Sequence, residues 1–147
     1  MKEYRKSLPQ SASLTAPSSE GALDAVSASA TNLNLTEVTI VIGTIVKVIV
    51  DRPLGTYHPK HKDIYYSVNY GYIPGVIAQD GEEQDAYILG VSQPINEFVG
   101  KVIAIIHRFD DVEEKWVVAP EDISFTKDEI MRQVAFQEQY FRIEIRI

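Results

Sequence analysis

From residue 37 onward, short runs of β-branched and aromatic residues alternate with polar joints rich in Gly, Pro and Asp. The stretch before it has another texture. Residues 7–36 are mostly Ser, Ala, Thr and Asn, with Pro9 and Pro17 and almost no large apolar side chain. Such a segment buries too little surface to offset its ordering entropy. Residues 1–36 are therefore expected to be a flexible extension, with at most a weak helix over residues 21–30, and residues 37–147 the folded unit. Two β-branched runs, 38–42 and 44–50, flank Gly43 and predict two strands or one long bent strand. A polar loop over residues 51–63 carries the turn residues Pro53, Gly55 and Pro59. Further short strands are predicted at 65–72, 86–91, 101–107 and 116–119. Strands at this spacing predict a mainly β (α+β) domain, a barrel or a sandwich rather than a parallel α/β sheet.

One helix is signalled near the end. Thr126 and Glu129 form a capping box, and Asp128 and Glu129 suit the positive end of the helix dipole. Ile130, Val134 and Phe141 then fall on one face. The last seven residues alternate like a strand, which could pair with a barrel edge or with a second copy, a homo-oligomer.

Composition narrows the classes. The chain has 147 residues, 45% hydrophobic and 24% charged, which suits one domain. It has no cysteine, so a disulfide framework, a thiolate metal site and a Cys nucleophile are excluded. A net charge of −7 argues against a nucleic-acid partner, including an OB-type module that stacks oligonucleotides on its tyrosines. No apolar run approaches the ~20 residues of a spanning helix, so no membrane partner is expected. The start lacks a secretory apolar stretch, and Glu3 and Glu20 count against an organelle transit peptide. A cytoplasmic location is expected. The acidity is local: eleven acids against three bases lie between residues 80 and 122.

Two acidic turns stand out. Asp80-Gly81-Glu82-Glu83-Gln84-Asp85 precedes a predicted strand, and a turn at Gly81 can fold Asp80, Glu82 and Asp85 toward one point. Hard divalent ions such as Mg²⁺ bind clustered carboxylate oxygens. Asp110, Asp111, Glu113 and Glu114 form a second cluster before Lys115. Read singly, either is an ordinary solvated turn. A basic and phenolic edge accompanies them: Arg52 at a strand end, Lys60 and Lys62 in the loop, then Tyr65, Tyr66, Tyr70 and Tyr72. Alternating tyrosines also serve a core, with their hydroxyls at its rim. His58 and His61 read as solvated loop residues, and His107 as a strand residue. Cations beside carboxylates are what a metal–phosphate substrate requires.

The run Asn69-Tyr70-Gly71-Tyr72-Ile73-Pro74, then Asp80-Gly81-x-x-x-Asp85, then Lys115-Trp116-Val117-Val118-Ala119-Pro120 resembles the soluble family I inorganic pyrophosphatases. Asp51-Arg52 is similar to that family's strand-end pair, and the likeness runs from about Val48 to Tyr140. It implies an OB-like five-stranded barrel with a C-terminal helix, and hydrolysis of pyrophosphate to two phosphates by a metal-activated water. It implies Mg²⁺, or Mn²⁺, as cofactor. By the same resemblance Asp80 and Asp85 are metal ligands, joined by Glu113 and by Asp110 or Asp111. Arg52, Lys115 and Tyr140 bind phosphate, and Tyr70 contacts the attacking water or phosphate. Glu82, an Asp in the family, positions that water or accepts its proton. The chain departs from the pattern in three further places. Glu113 replaces an Asp, Phe141 a lysine, and the upstream Glu and Lys find no match. Lys60 and Lys62 are candidates to substitute for them. A catalytically impaired binder of Mg–phosphate compounds is the alternative.

Overall fold

The computed structural model describes residues 40–110 and 113–147. The expected extension over residues 1–36 lies outside them, as does Asp111. Six strands and one helix follow in order: β1 (Ile45–Arg52), β2 (Asn69–Ile77), β3 (Glu83–Ile88), β4 (Glu97–Arg108), β5 (Glu114–Ala119), α1 (Lys127–Glu138) and β6 (Ile143–Arg146). The sheet order is β1-β2-β3-β5-β4-β6, and an added β1–β4 pairing closes five strands into a barrel. Only β3 and β5 run parallel. The fold is thus the mainly β, OB-like barrel with a C-terminal helix that the sequence suggested, and a barrel rather than a sandwich.

The length of β4 makes closure possible. Its first half pairs with β1, from Ile45↔Lys101 to Ile49↔Glu97. Its last four residues pair with β6, from Ile105↔Arg146 to Arg108↔Ile143. One twelve-residue strand therefore closes the barrel and holds the chain's last strand. Where β1 crosses β2, a Cβ on Gly71 would stand 1.9 Å from the Ile49 carbonyl oxygen, so only glycine allows the approach.

Two cores lie on opposite faces of the sheet. Val48, Ile73, Ala86, Ile88, Val102 and Val118, contributed by all five barrel strands, fill the interior. Tyr66, Tyr70, Tyr87, Leu89, Ile106 and Val117 pack on the outer face against Ile130 and Val134 of α1. The capping box forms as predicted, Glu129 N donating to Thr126 Oγ1 at 3.1 Å and Thr126 N to Glu129 Oε1 at 2.8 Å.

Several boundaries differ from the sequence reading. Ile40 and Val41 are helical and Gly43, at φ 102°, redirects the chain, so residues 40–42 of the first apolar run form no strand while the second run becomes β1. Residues 65–68 do not begin β2. Their backbone serves the preceding loop instead: Gly55 N donates to Tyr66 O, and Tyr66 N to Thr56 O, each at 2.8 Å. The helix stops at Glu138, so Phe141 is not on its face, and the buried stripe continues through Gln137 and Glu138. No helix among the described residues is long and apolar enough to cross a membrane.

Candidate functional site

On the outer face of the barrel, beside α1, lies a cavity of about 410 Å³. Arg52, Tyr70, Asp80, Glu82, Asp85, Glu113, Lys115 and Tyr140 all line it, although they come from β1, β2, β3, β5, the turns before β3 and β5 and the segment after α1. The turn is built locally. Gly81 adopts φ 87°, its N–H donates to Ala78 O at 3.0 Å, and Glu82 N donates to Asp80 Oδ1 at 2.9 Å. Asp80 and Glu82 are thereby held on one side of the turn, and β3 carries Asp85 to the same wall.

Lys115 is the electrostatic centre. Its ammonium donates to Asp85 Oδ2 at 2.6 Å and lies 2.8 Å from Glu113 Oε1, with the side chain only 4% exposed. Burial alone would lower its pKa, but Asp85 and Glu113 together raise it, so Lys115 remains charged. Tyr70 is held well above its ordinary value, first by burial and then by the nearby Asp85 charge. It is therefore a protonated phenol, a donor rather than a base. Arg52 Nη1 donates to Tyr66 Oη at 2.6 Å, and its guanidinium lies 5.6 Å from the Tyr66 and Tyr70 ring centres.

Behind this wall runs a continuous chain of buried hydrogen bonds. From Arg52 it passes to Tyr66, whose hydroxyl donates to Gln137 Oε1 at 2.5 Å. Gln137 Nε2 donates to Tyr87 Oη at 2.7 Å, and Tyr87 Oη donates to Glu138 Oε2 at 2.6 Å. Arg108 clamps Glu138 through Nε at 2.9 Å and Nη2 at 2.7 Å, and reaches Glu113 Oε1 through Nη1 at 3.3 Å. Lys115 then completes the path to Asp85. Each cation of the wall is thus fixed by a partner that is itself fixed.

Not every candidate joins the cavity. Lys60 and Lys62 are exposed and do not line it. Asp110 lies outside as well; its Oδ2 accepts from Arg142 N at 2.9 Å. His58 corrects the expectation of a solvated loop histidine: it is 7% exposed, and its Nδ1 accepts from Lys60 N at 3.0 Å and His61 N at 3.1 Å. Arg108 and Gln137 also line the cavity and Glu138 holds Arg108 behind it, and the sequence reading missed all three. A signal existed for the last two, since polar residues at i+7 and i+8 from Ile130 continue an otherwise apolar stripe.

Among the described residues no three His, Asp or Glu side chains gather into a group that could hold a metal ion. The donor chemistry nevertheless fits Mg²⁺ or Mn²⁺. Asp80, Glu82, Asp85 and Glu113 offer hard oxygens, and Mg²⁺ is commonly held by one or two carboxylates, with water and substrate phosphate completing its shell. The site suits a cation that arrives with a phosphate compound better than a preformed cage.

Fold and site together define a pyrophosphatase-like OB barrel. Among the solved structures similar to it are inorganic pyrophosphatases of three bacteria. That of Neisseria gonorrhoeae is 19% identical, with a TM-score of 0.53, and the match covers 71% of this chain and 80% of that one. The enzyme of Ehrlichia chaffeensis is 16% identical at TM-score 0.55, covering 70% and 85%. That of Coxiella burnetii is 17% identical at TM-score 0.51, covering 71% and 84%. No protein-family model matches the sequence, and no curated protein matches it either. At these identities the likeness shows the fold.

Proposed function

We propose that this protein hydrolyses inorganic pyrophosphate to two phosphates, with Mg²⁺ or Mn²⁺ as cofactor. The observation that carries this reading is the composition of the single cavity wall. The fixed cations Arg52, Arg108 and Lys115, the phenol of Tyr70 and the carboxylates Asp80, Glu82, Asp85 and Glu113 line one small space, with Lys115 bonded to Asp85 and Glu113. The solved pyrophosphatases of the same fold support it.

Charge explains why a metal belongs to the reading. Five carboxylates, Asp63 included, line the cavity against three fixed cations. A pyrophosphate anion entering alone would meet net repulsion. Divalent cations held by Asp80, Asp85 and Glu113 would offset the negative charge of substrate and wall and acidify the attacking water. The chain's own groups do the rest. Glu82, 5% exposed at the cavity wall, accepts the proton of the water as its oxygen bonds one phosphorus. The bridging P–O bond breaks, and Arg52, Lys115, Tyr70 and Tyr140 donate hydrogen bonds to the departing phosphate.

The test is phosphate release from pyrophosphate by the purified chain, titrated with Mg²⁺ and Mn²⁺ across the neutral pH range. Release that requires the metal and falls at least about 100-fold in Asp80→Asn, with circular dichroism unchanged, is expected. No release under any of these conditions would overturn the reading. A second reading has a specific support: Lys115 already bridges Asp85 and Glu113, where a divalent ion would have to compete. It makes the protein a binder of metal–phosphate compounds that turns nothing over. Calorimetric binding of Mg–pyrophosphate without phosphate release identifies it.

A further inference from the structure

Arg108 lines the cavity, yet the proposed reaction assigns it no contact with the substrate. Its side chain is 6% exposed, so it is held within the protein rather than drawn to the surface by solvent. A buried guanidinium is costly unless paired, and here the pairing is lopsided. Glu138, 0% exposed, takes Nε and Nη2 in a bidentate clamp, and Glu113 takes one bond from Nη1. Those are three of the five N–H groups an arginine carries. One face of the guanidinium is covered by Phe141, whose ring centre lies 3.6 Å away. One N–H on Nη1 and one on Nη2 take no part in these bonds, and Arg108 lines the cavity.

We propose that Arg108 binds the substrate directly, donating from Nη1 and Nη2 to oxygens of a diphosphate and forming, with Lys115, a two-cation seat for one phosphoryl group. The inference rests on the diphosphate reading of the cavity and adds a substrate contact to it. Burial in a rigid clamp favours the role. A guanidinium already oriented loses little freedom when it meets a phosphate, and its planar fork matches two phosphate oxygens. Lys115 and Arg108 share the Glu113 Oε1 acceptor, at 2.8 and 3.3 Å, so the two cations are held side by side before substrate enters.

Calorimetry with methylene diphosphonate, a non-hydrolysable diphosphate, at fixed saturating Mg²⁺ tests this. The key variant is Arg108→Gln combined with Glu138→Gln, which leaves the net charge of the chain unchanged and strands no buried ion. Arg108→Lys is the companion variant, since it keeps the charge and loses the fork. Thermal unfolding and circular dichroism establish that each is folded. The double variant is expected to bind the analogue about 10- to 100-fold more weakly than the wild type. Arg108→Lys should fall between the two, and KM for pyrophosphate should rise more than kcat falls. Arg142→Gln, an exposed arginine outside the cavity, should bind within about twofold of wild type. Unchanged affinity in the folded double variant overturns the inference while leaving the pyrophosphatase reading intact. Failure of the wild type to bind the analogue overturns both. If the double variant does not fold, Arg108→Lys decides: wild-type affinity in that protein also counts against a fork-shaped contact.

Discussion

Glu138→Leu is a perturbation with a large expected effect on stability. The carboxylate is fully buried, accepts two bonds from Arg108 and one from Tyr87, and sits on the last turn of α1. Its loss leaves the Arg108 charge inside the protein with the 3.3 Å contact to Glu113 as its remaining carboxylate partner, beside the Phe141 ring. Breaking a buried pair from one side costs about 3–5 kcal/mol, a large share of the ~5–15 kcal/mol that holds a domain together. At about 4 °C per kcal/mol for a chain of this size, Tm should fall by roughly 12–20 °C. Adding Arg108→Met removes the stranded charge. What then remains is the Tyr87 hydroxyl without its acceptor, about 1–2 kcal/mol. The double variant should therefore be more stable than Glu138→Leu alone. Calorimetric or optical melting of the wild type, both single variants and the double closes the cycle. A double variant whose loss equals the sum of the single losses would refute the idea that Arg108 and Glu138 act as one unit.

Other consequences can be checked more briefly. Burial holds the Tyr70 and Tyr87 phenols well above their usual range, so their contribution to stability is intact below about pH 10. As pH rises further the unfolded chain releases these protons while the folded one does not. Stability should then fall by about 1.4 kcal/mol per pH unit for each group, and denaturant titrations showing no loss between neutral pH and pH 11 would contradict this. Lys115→Met leaves Asp85 and Glu113 without the ammonium between them, and phosphate release should drop about 100-fold or more; wild-type turnover would remove Lys115 from the phosphate-binding wall. Gly71→Ala puts a methyl group 1.9 Å from the Ile49 carbonyl oxygen and should cost about 4 kcal/mol or more, read as loss of cooperative melting; a variant as stable as wild type would mean that β1 can move aside.

The barrel was legible because its signals are local. β-branched runs broken by Gly and Pro mark strands whatever they pair with, and Thr126 with Glu129 marks a helix start. The local pattern left barrel and sandwich open, and the family resemblance supplied closure, which depends on β4 offering its first half to β1, a long-range choice that no window of sequence contains. The acidic turn was readable because Gly81 imposes a specific bend on its neighbours. The partners behind the cavity were not. Arg108 follows a strand end much as Arg52 does, yet only its three-dimensional neighbours Glu138 and Phe141 distinguish it from a solvated arginine. Gln137 and Glu138 come from a helix about 50 residues beyond Tyr87 in sequence, so their joint role emerges only once α1 is docked.

That docking ties the site to the fold. An isolated apolar contact between α1 and the sheet, such as Ile130 and Val134 provide, would tolerate sliding by a rotamer or two. Gln137 and Glu138 do not, because each must meet donors and acceptors at hydrogen-bond distance on both sides. The helix is therefore seated by the same two residues that orient Arg52, through Tyr66, and Arg108 directly. Three cations can then stand close together at a cavity wall without a ligand to hold them apart. The repulsion among them is offset in advance by Glu138, Glu113 and Asp85, which lie behind and between them rather than in solvent. Such a wall is preorganised for an anion, and its organisation is lost wherever α1 detaches. Loosening the helix should abolish anion binding before it unfolds the barrel, because the barrel interior of Val48, Ile73, Ile88 and Val102 makes no use of α1.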